Sequence, residues 1–186
     1  MIFAAINLIR SELNSSPLGI ISELGSVGEL VSNGDINNNT DSNIIITLVN
    51  IEENRMSRDP LNYFKSGTDL FLKNPAMHLN LTLLFTATRS EGAYGAAMRN
   101  IQHVVEFFQE KYVFDQTNTP GIDPGIEKLV LEMVSVNMEQ LNHLWSILGG
   151  RYQPSVVYKM RMVTIDSVTR KLAGIVKEIE TKYYME

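Results

Sequence analysis

Between Met77 and Thr88 the residues Met77, Leu79, Leu81, Leu83, Phe85 and Ala87 alternate with His78, Asn80, Thr82, Leu84, Thr86 and Thr88. A period of two over twelve residues fits a strand with one face on a core, and no amphipathic helix can produce it. A half-buried strand of this length needs strands beside it and a layer over its apolar face. Ile44 to Ile51 supplies one neighbour: a short, β-branched apolar run that reads as a central strand covered on both faces. Leu129 to Val134 and Val156 to Ile165 alternate again and add two more strands, and Leu24 to Val31 is a fourth candidate within an otherwise loop-like stretch, Leu18 to Ser42.

Helical periods separate these strands. Ile2, Phe3, Ile6, Ile9 and Leu13 share one face of an opening helix that ends before Pro17. The segment has no basic residue before Arg10, so it reads as a folded helix and not as a secretory signal. Tyr94, Ala97, Met98, Ile101, Val104, Val105, Phe108 and Tyr112 follow a 3.6-residue period. Asn137 and Gln140 form a capping-box pattern for a helix burying Met138, Leu141, Trp145 and Leu148, and Gly149-Gly150 ends it. Thr119-Pro120-Gly121 and Asp123-Pro124-Gly125 both read as type II turns. Glu52 to Asn74 turns polar and reads as a strand leaving the sheet into a long loop. Ser167 to Tyr184 carries a closing helical pattern at Val168, Leu172, Ile175, Val176, Ile179 and Tyr183. Interleaved strands and helices in 186 residues predict a single compact α/β (α+β) domain, residues 1–165, with a mixed sheet flanked by helices, plus a C-terminal helical extension, residues 166–186.

The chemistry this chain forgoes is as informative. With no cysteine it has no disulfide, thiolate zinc site, iron–sulfur cluster or cysteine nucleophile. A net charge of -5 argues against a nucleic-acid backbone as the main partner, and no run of apolar residues approaches the length of a membrane span. His78, His103 and His143 show no metal-ligand spacing. Leu24-Gly25-Ser26-Val27-Gly28 lacks one position of a nucleophile elbow, and neither Gly92/Gly95 nor Gly149-Gly150 has phosphate-loop spacing. Glu52-Glu53 and Asp123 with Glu127 read as solvated carboxylates. No cofactor is expected. Trp145, the one tryptophan, is expected to anchor either a core or a subunit interface, with its indole N–H finding an acceptor in both cases.

Several segments together resemble one family: the opening Met1-Ile2-Phe3 helix, Val49-Asn50-Ile51-Glu52-Glu53-Asn54-Arg55, Leu83 to Thr88, Val105 to Gln109 and Thr119 to Asp123. Most specific is the block from Glu139-Gln140-Leu141-Asn142-His143-Leu144-Trp145 through Gly149-Gly150-Arg151-Tyr152-Gln153-Pro154-Ser155. These resemble the tail-terminator, or cap, proteins of extracellular contractile injection systems, the phage-tail-like particles that include antifeeding prophages and Photorhabdus virulence cassettes. The resemblance implies a small α/β domain similar to phage tail terminators. It also implies a structural role without catalysis: a homohexameric ring on the distal end of the inner tube and sheath that ends their polymerisation. Implied partners are other copies of the chain, the inner tube protein, the sheath protein and the tape-measure protein. The implied setting is assembly in the bacterial cytoplasm and then residence in a particle released from the cell.

On this reading Asn50, Glu52, Glu53, Arg55, Glu139, Gln140, Trp145, Gly149, Gly150 and Pro154 are the motif residues. Arg58 and Asp59 in the polar loop, with Arg170, Lys171, Lys177 and Tyr183 in the tail, are the candidate interface. The alternative is an adaptor that forms no ring and binds a peptide or effector through an exposed sheet edge.

Overall fold

The computed structural model describes residues 1–33, 43–54, 62–66, 69–73, 77–87, 94–149, 151–165 and 170–173. Its elements are α1 (Ile2–Asn14), β1 (Ser22–Leu24), α2 (Val27–Asn33), β2 (Ile44–Glu53), β3 (Asn62–Ser66), β4 (Asp69–Lys73), β5 (Met77–Ala87), α3 (Tyr94–Glu110), β6 (Val113–Asp115), β7 (Lys128–Val134), α4 (Met138–Ile147), β8 (Ser155–Ile165) and β9 (Arg170–Ala173). Six strands form one sheet in the order β1-β2-β5-β8-β7-β6, parallel at β1·β2 and antiparallel elsewhere. Three strands form a second sheet in the order β3-β4-β9. The mixed α+β architecture is the expected one.

The long alternation becomes β5, which lies between β2 and β8. Its odd-numbered side chains, Leu79, Leu81, Leu83, Phe85 and Ala87, enter a large core with Ala5, Ile6, Ile9 and Leu13 of α1 and Ala97, Val104, Phe107 and Phe108 of α3. Rings fix this side. Phe108 meets Phe85 at 5.2 Å and Tyr158 at 4.6 Å between centroids, and Phe107 meets Phe114 at 6.4 Å. On the other face a smaller core joins Val27 of α2, Ile45, Leu84, Trp145 of α4 and Val157. Leu84 is the apolar residue on the otherwise polar phase of β5, and it is where the second helix layer sits.

Short polar contacts tie the helices to the sheet. The end of α1 is joined to β1 by Ser22 N–H and Oγ, which donate to Asn14 Oδ1 at 2.6 and 2.7 Å. Thr47 Oγ1 accepts from Val27 N–H at 3.2 Å and donates to the Gly25 carbonyl at 2.7 Å, pinning the start of α2 to β2. Gly28 lets α2 approach the end of α4, because a Cβ there would sit 3.4 Å from the Leu148 carbonyl oxygen.

Several expectations give way to the structure. Leu24 to Val31 is not a strand: β1 ends at Leu24 and Val27–Asn33 is helix α2, held by the contacts of Val27 and Leu30 in the smaller core. Strand β2 is second from the sheet edge, and only Ile44 to Thr47 are buried, so it is covered on both faces for less than half its length. The strand leaving the sheet at Glu52 is the end of β2, as expected, but the long loop after it holds the hairpin β3–β4. Arg170–Ala173, expected in a terminal helix, is strand β9 and pairs with β4 from Leu70↔Ala173 to Lys73↔Arg170. The rest of the expected helix, with Lys177 and Tyr183, lies outside the described residues. On the helices, Phe3 is 72% and Met98 56% exposed, off the faces their spacing assigned.

Of the two turns, only the first has the expected backbone. Gly121 has φ +89° and Ile122 N–H donates to the Thr119 carbonyl, whereas Gly125 has no positive φ and its N–H donates to Asp123 Oδ1 at 2.8 Å. A third turn follows β6: Asp115 Oδ1 accepts from Thr117 Oγ1, Thr117 N–H and Asn118 N–H. The Thr117 hydroxyl, ahead of its amide, holds the Asp115 carboxyl below the usual carboxylate range. A depressed carboxylate stabilises the fold above its unfolded pKa and loses that contribution as pH falls through the folded value. Asp115→Asn is therefore expected to be less stable than wild type at neutral pH, with the gap closing at acid pH. Urea denaturation of both proteins across pH 2 to 7 checks this.

Candidate functional site

Two surfaces collect the motif residues. The first is the sheet face beyond the smaller core. On that face the register aligns Asn50 with Thr82, Thr82 with Lys159 and Lys159 with Glu132, one row across four strands. The next row begins with Glu52 opposite Asn80. Charges link the rows: Lys159 Nζ bonds Glu52 Oε2, Arg161 Nη2 lies 2.6 Å from Glu132 Oε2, and Asn50 Nδ2 donates to Glu52 Oε1 at 3.2 Å. These groups are partly exposed, and such pairs contribute about 0–1 kcal/mol each, so stability does not account for the ladder. On the same stretch of β2 Val49 is exposed, and so are Leu48 and Ile51, which stand opposite Leu83 and Leu81 on the other sheet face.

The structure thus brings Asn50 and Glu52 together with three residues that the sequence reading missed: Glu132, Lys159 and Arg161. Lys159 and Arg161 do alternate with buried Met160 on β8, but their partners become visible only once the strand pairing is known. Glu53 is exposed at the end of β2. Arg55, Arg58 and Asp59 lie outside the described residues, and Arg170 and Lys171 are placed on β9 at the level of the backbone.

The second surface is built on α4. Its capping box is complete: Gln140 N–H donates to Asn137 Oδ1 at 2.8 Å and Asn137 N–H to Gln140 Oε1 at 3.0 Å. Gln140 therefore acts on the helix start, while Glu139 and Met138 face out, Met138 at 80% exposure. Met138 was expected inside; only Trp145 of this helix is fully buried, with Leu141, Leu144 and Leu148 half-buried against the smaller core. Gly149 ends the helix at φ +100°, as its position predicts. Gly150 is outside the described residues. Pro154 starts β8, its carbonyl accepting from Ala87 N–H at 3.0 Å.

Between α4 and Tyr152, in the segment leading to β8, lies a groove of about 430 Å³ lined by Met138, Leu141, Asn142, Trp145 and Tyr152. Tyr152 packs edge-on against Trp145 with centroids 5.7 Å apart. Trp145 is core by burial and forms the wall of this groove as well. Its Nε1 is buried and meets no acceptor among the described residues, where one was expected. Ile147 is 83% exposed on the same helix.

The histidines come to no constellation: His78 and His103 are half-buried and His143 is exposed. Among the described residues no group of three or more His, Cys, Asp or Glu is placed to hold a metal ion, and no helix is long and apolar enough to cross a membrane.

The mixed sheet with helices on both faces is the fold of solved tube and sheath terminators. The PVC sheath/tube terminator of an extracellular contractile injection system, solved in its extended state, superposes with a TM-score of 0.62 at 14% identity over 100% of this chain and 64% of that one. The tube-terminating cap of the anti-feeding prophage superposes with a TM-score of 0.64 at 15% identity over 96% of this chain and 60% of that one. The chain thus spans less than two thirds of either protein's length. Residues 4–178 match the Pvc16 N-terminal domain, and the chain belongs to that family. No curated protein sequence matches it.

Two substitutions separate core from surface here. Trp145→Ala should lower stability by about 3–5 kcal/mol, read as a fall in the urea midpoint. Gly149→Val places a β-branched residue at φ +100° and should cost about 1–3 kcal/mol in the same assay.

Proposed function

We propose that this chain is a structural cap: a sixfold ring on the distal end of the inner tube and sheath of a contractile injection particle, where it ends their polymerisation. The observation that carries the reading is the match of the whole chain, in fold and in family, to proteins that terminate such tubes and sheaths. Its partners are then further copies of itself, the inner tube protein, the sheath protein and the tape-measure protein. The role needs no cofactor and no catalytic step. Assembly belongs to the bacterial cytoplasm, with the finished particle released. In this scheme residues 1–165 form the body of the cap and residues 166–186 its extension.

The two surfaces divide the work. The α4 groove, with Met138, Tyr152 and Ile147 exposed beside Trp145, suits an apolar side chain of a tube or sheath subunit docked from outside. The arm made by β3, β4 and β9, together with Arg58, Asp59, Arg170, Lys171, Lys177 and Tyr183, is the part that reaches neighbours. An adaptor taking a peptide on the exposed edge of β2 is the second reading, favoured by Leu48, Val49 and Ile51. Such an adaptor does not form rings.

Deleting the gene in its host should yield tubes of uneven length or unsheathed stubs by negative-stain electron microscopy. Normally capped particles in the deletion strain overturn the cap. Met138→Asp should change stability by no more than about 0.5 kcal/mol, because the side chain is exposed, yet abolish attachment to tube ends in a pull-down.

A further inference from the structure

An open sheet has two outer strands, and unpaired N–H and C=O groups along them are a template for the strand of another chain. In the six-stranded sheet the outer strands are β1 and β6, each three residues long. The pairing shows which of their groups point outward. Ile44 N–H donates to the Ile21 carbonyl at 3.2 Å and Gly25 N–H to the Ile46 carbonyl at 3.1 Å, so the odd-numbered residues face β2 while Ser22 and Leu24 face away from it. Leu131 N–H donates to the Tyr112 carbonyl at 2.9 Å, so Tyr112 and Phe114 face β7 while Val113 and Asp115 face away.

Two asparagines of the chain itself take up these outward groups. Asn14, the last residue of α1, donates from Nδ2 to the Ser22 carbonyl at 3.1 Å, and its Oδ1 accepts from Ser22 N–H at 2.6 Å. Both bonds go to one residue, as they do from a residue of an antiparallel strand. Asn118 donates from Nδ2 to the Val113 carbonyl at 2.9 Å, and its Oδ1 accepts from Asp115 N–H at 3.1 Å. Those bonds flank Phe114, as they do from a residue of a parallel strand. An asparagine amide has the acceptor and donors of a peptide group, which is why it fits both patterns. The Asp115 carbonyl is taken as well, by Thr119 N–H at 3.0 Å.

The two closures are tied together. Lys111 Nζ donates to the Asn118 carbonyl at 3.0 Å and to Glu12 Oε2 at 2.6 Å, and it stands 5.1 Å from the centroid of the Phe114 ring. Glu12 and Asn14 share the last turn of α1, so β1 and β6, the opposite ends of the strand order, are both fastened to one helix turn.

We propose that the amides of Asn14 and Asn118 stand in for a next strand at the two outer strands of the six-stranded sheet and keep copies of this chain from pairing through β1 or β6. Copies that meet do so through other surfaces. The proposal is independent of the cap reading, since it concerns which contacts the fold forbids.

Both asparagines are exposed, so replacing them leaves the core intact. Asn14→Ala and Asn118→Ala are made in the full chain, checked for folding by circular dichroism and urea denaturation, and compared with wild type by sedimentation velocity across a concentration series. Each folded variant should form species larger than the wild-type form, and these should grow with concentration. Val113→Pro separates strand pairing from a merely loosened turn. Val113 N–H faces away from β7, so proline there removes an outward donor and leaves the pairing of β6 with β7 in place. Asn118→Ala combined with Val113→Pro should therefore sediment as wild type. Folded single variants that sediment as wild type at every concentration overturn the proposal. Association that persists with Val113→Pro also overturns it, because the contact then lies elsewhere. Should Asn118→Ala not fold, Asn14→Ala carries the test at the other strand, where new association supports the proposal and its absence overturns it.

Discussion

The fold depends on burial of the second half of β5 from both sides. Leu83, Leu84, Phe85, Thr86 and Ala87 are all fully buried, although adjacent residues of a strand point to opposite faces. Two helix layers are therefore required, and the chain supplies α1 with α3 on one side and α2 with α4 on the other. The demand is unequal. The α1–α3 side buries a core of aromatic and aliphatic side chains along the length of the strand, while the α2–α4 side covers little more than Ile45, Leu84 and Val157.

That inequality sets where the exposed surfaces lie. The smaller helix layer stops after two rows of side chains, and the same sheet face continues beyond it as the ladder of Asn50, Glu52, Glu132, Lys159 and Arg161. Where α4 ends its contact with the sheet, Met138 and Ile147 are left on its outer side. A domain that had to stand alone would extend the layer over both. A subunit of a larger body can leave that covering to its neighbours, at the cost of apolar exposure in the free chain.

Elements with a local pattern were legible in the sequence. β5, α3, β7 and β8 follow from hydrophobic period, and α4 from the Asn137–Gln140 box and Gly149, because the residues that decide them lie within a few positions of one another. The failures share a cause. α2 contains Gly28, Ser32 and Asn33, poor helix formers, and exists through packing on Trp145 and the bond from Val27 to Thr47, twenty residues away. Arg170–Ala173 fits a helical spacing by itself, but its partner β4 lies a hundred residues earlier in the chain. The candidate site divides the same way: Trp145, Gly149 and Pro154 were visible in their motif, whereas the pairing of Glu52 with Lys159 joins residues 107 apart.

Two single-residue irregularities have an effect out of proportion to their size. The register of β2 against β5 shifts between Leu48 and Asn50, and that of β5 against β8 between Leu79 and Leu81, each by one extra residue on the outer strand. Because strand side chains alternate, one extra residue acts like a frameshift: it exchanges the faces of everything downstream. Were the same residues of β2 paired without the shift at Val49, Glu52 would lie on the face of Leu79 and Leu81, and Ile51 would lie over the charged ladder. The two sheet faces beyond the body are thus written in a different frame from the core. Deleting Val49 would make the pairing regular and keep Asn50, Ile51 and Glu52 opposite Thr82, Leu81 and Asn80, whereas one further residue inserted or removed in β2 beyond Val49 turns the outer surface inside out while the buried residues Ile44 to Thr47 stay in place.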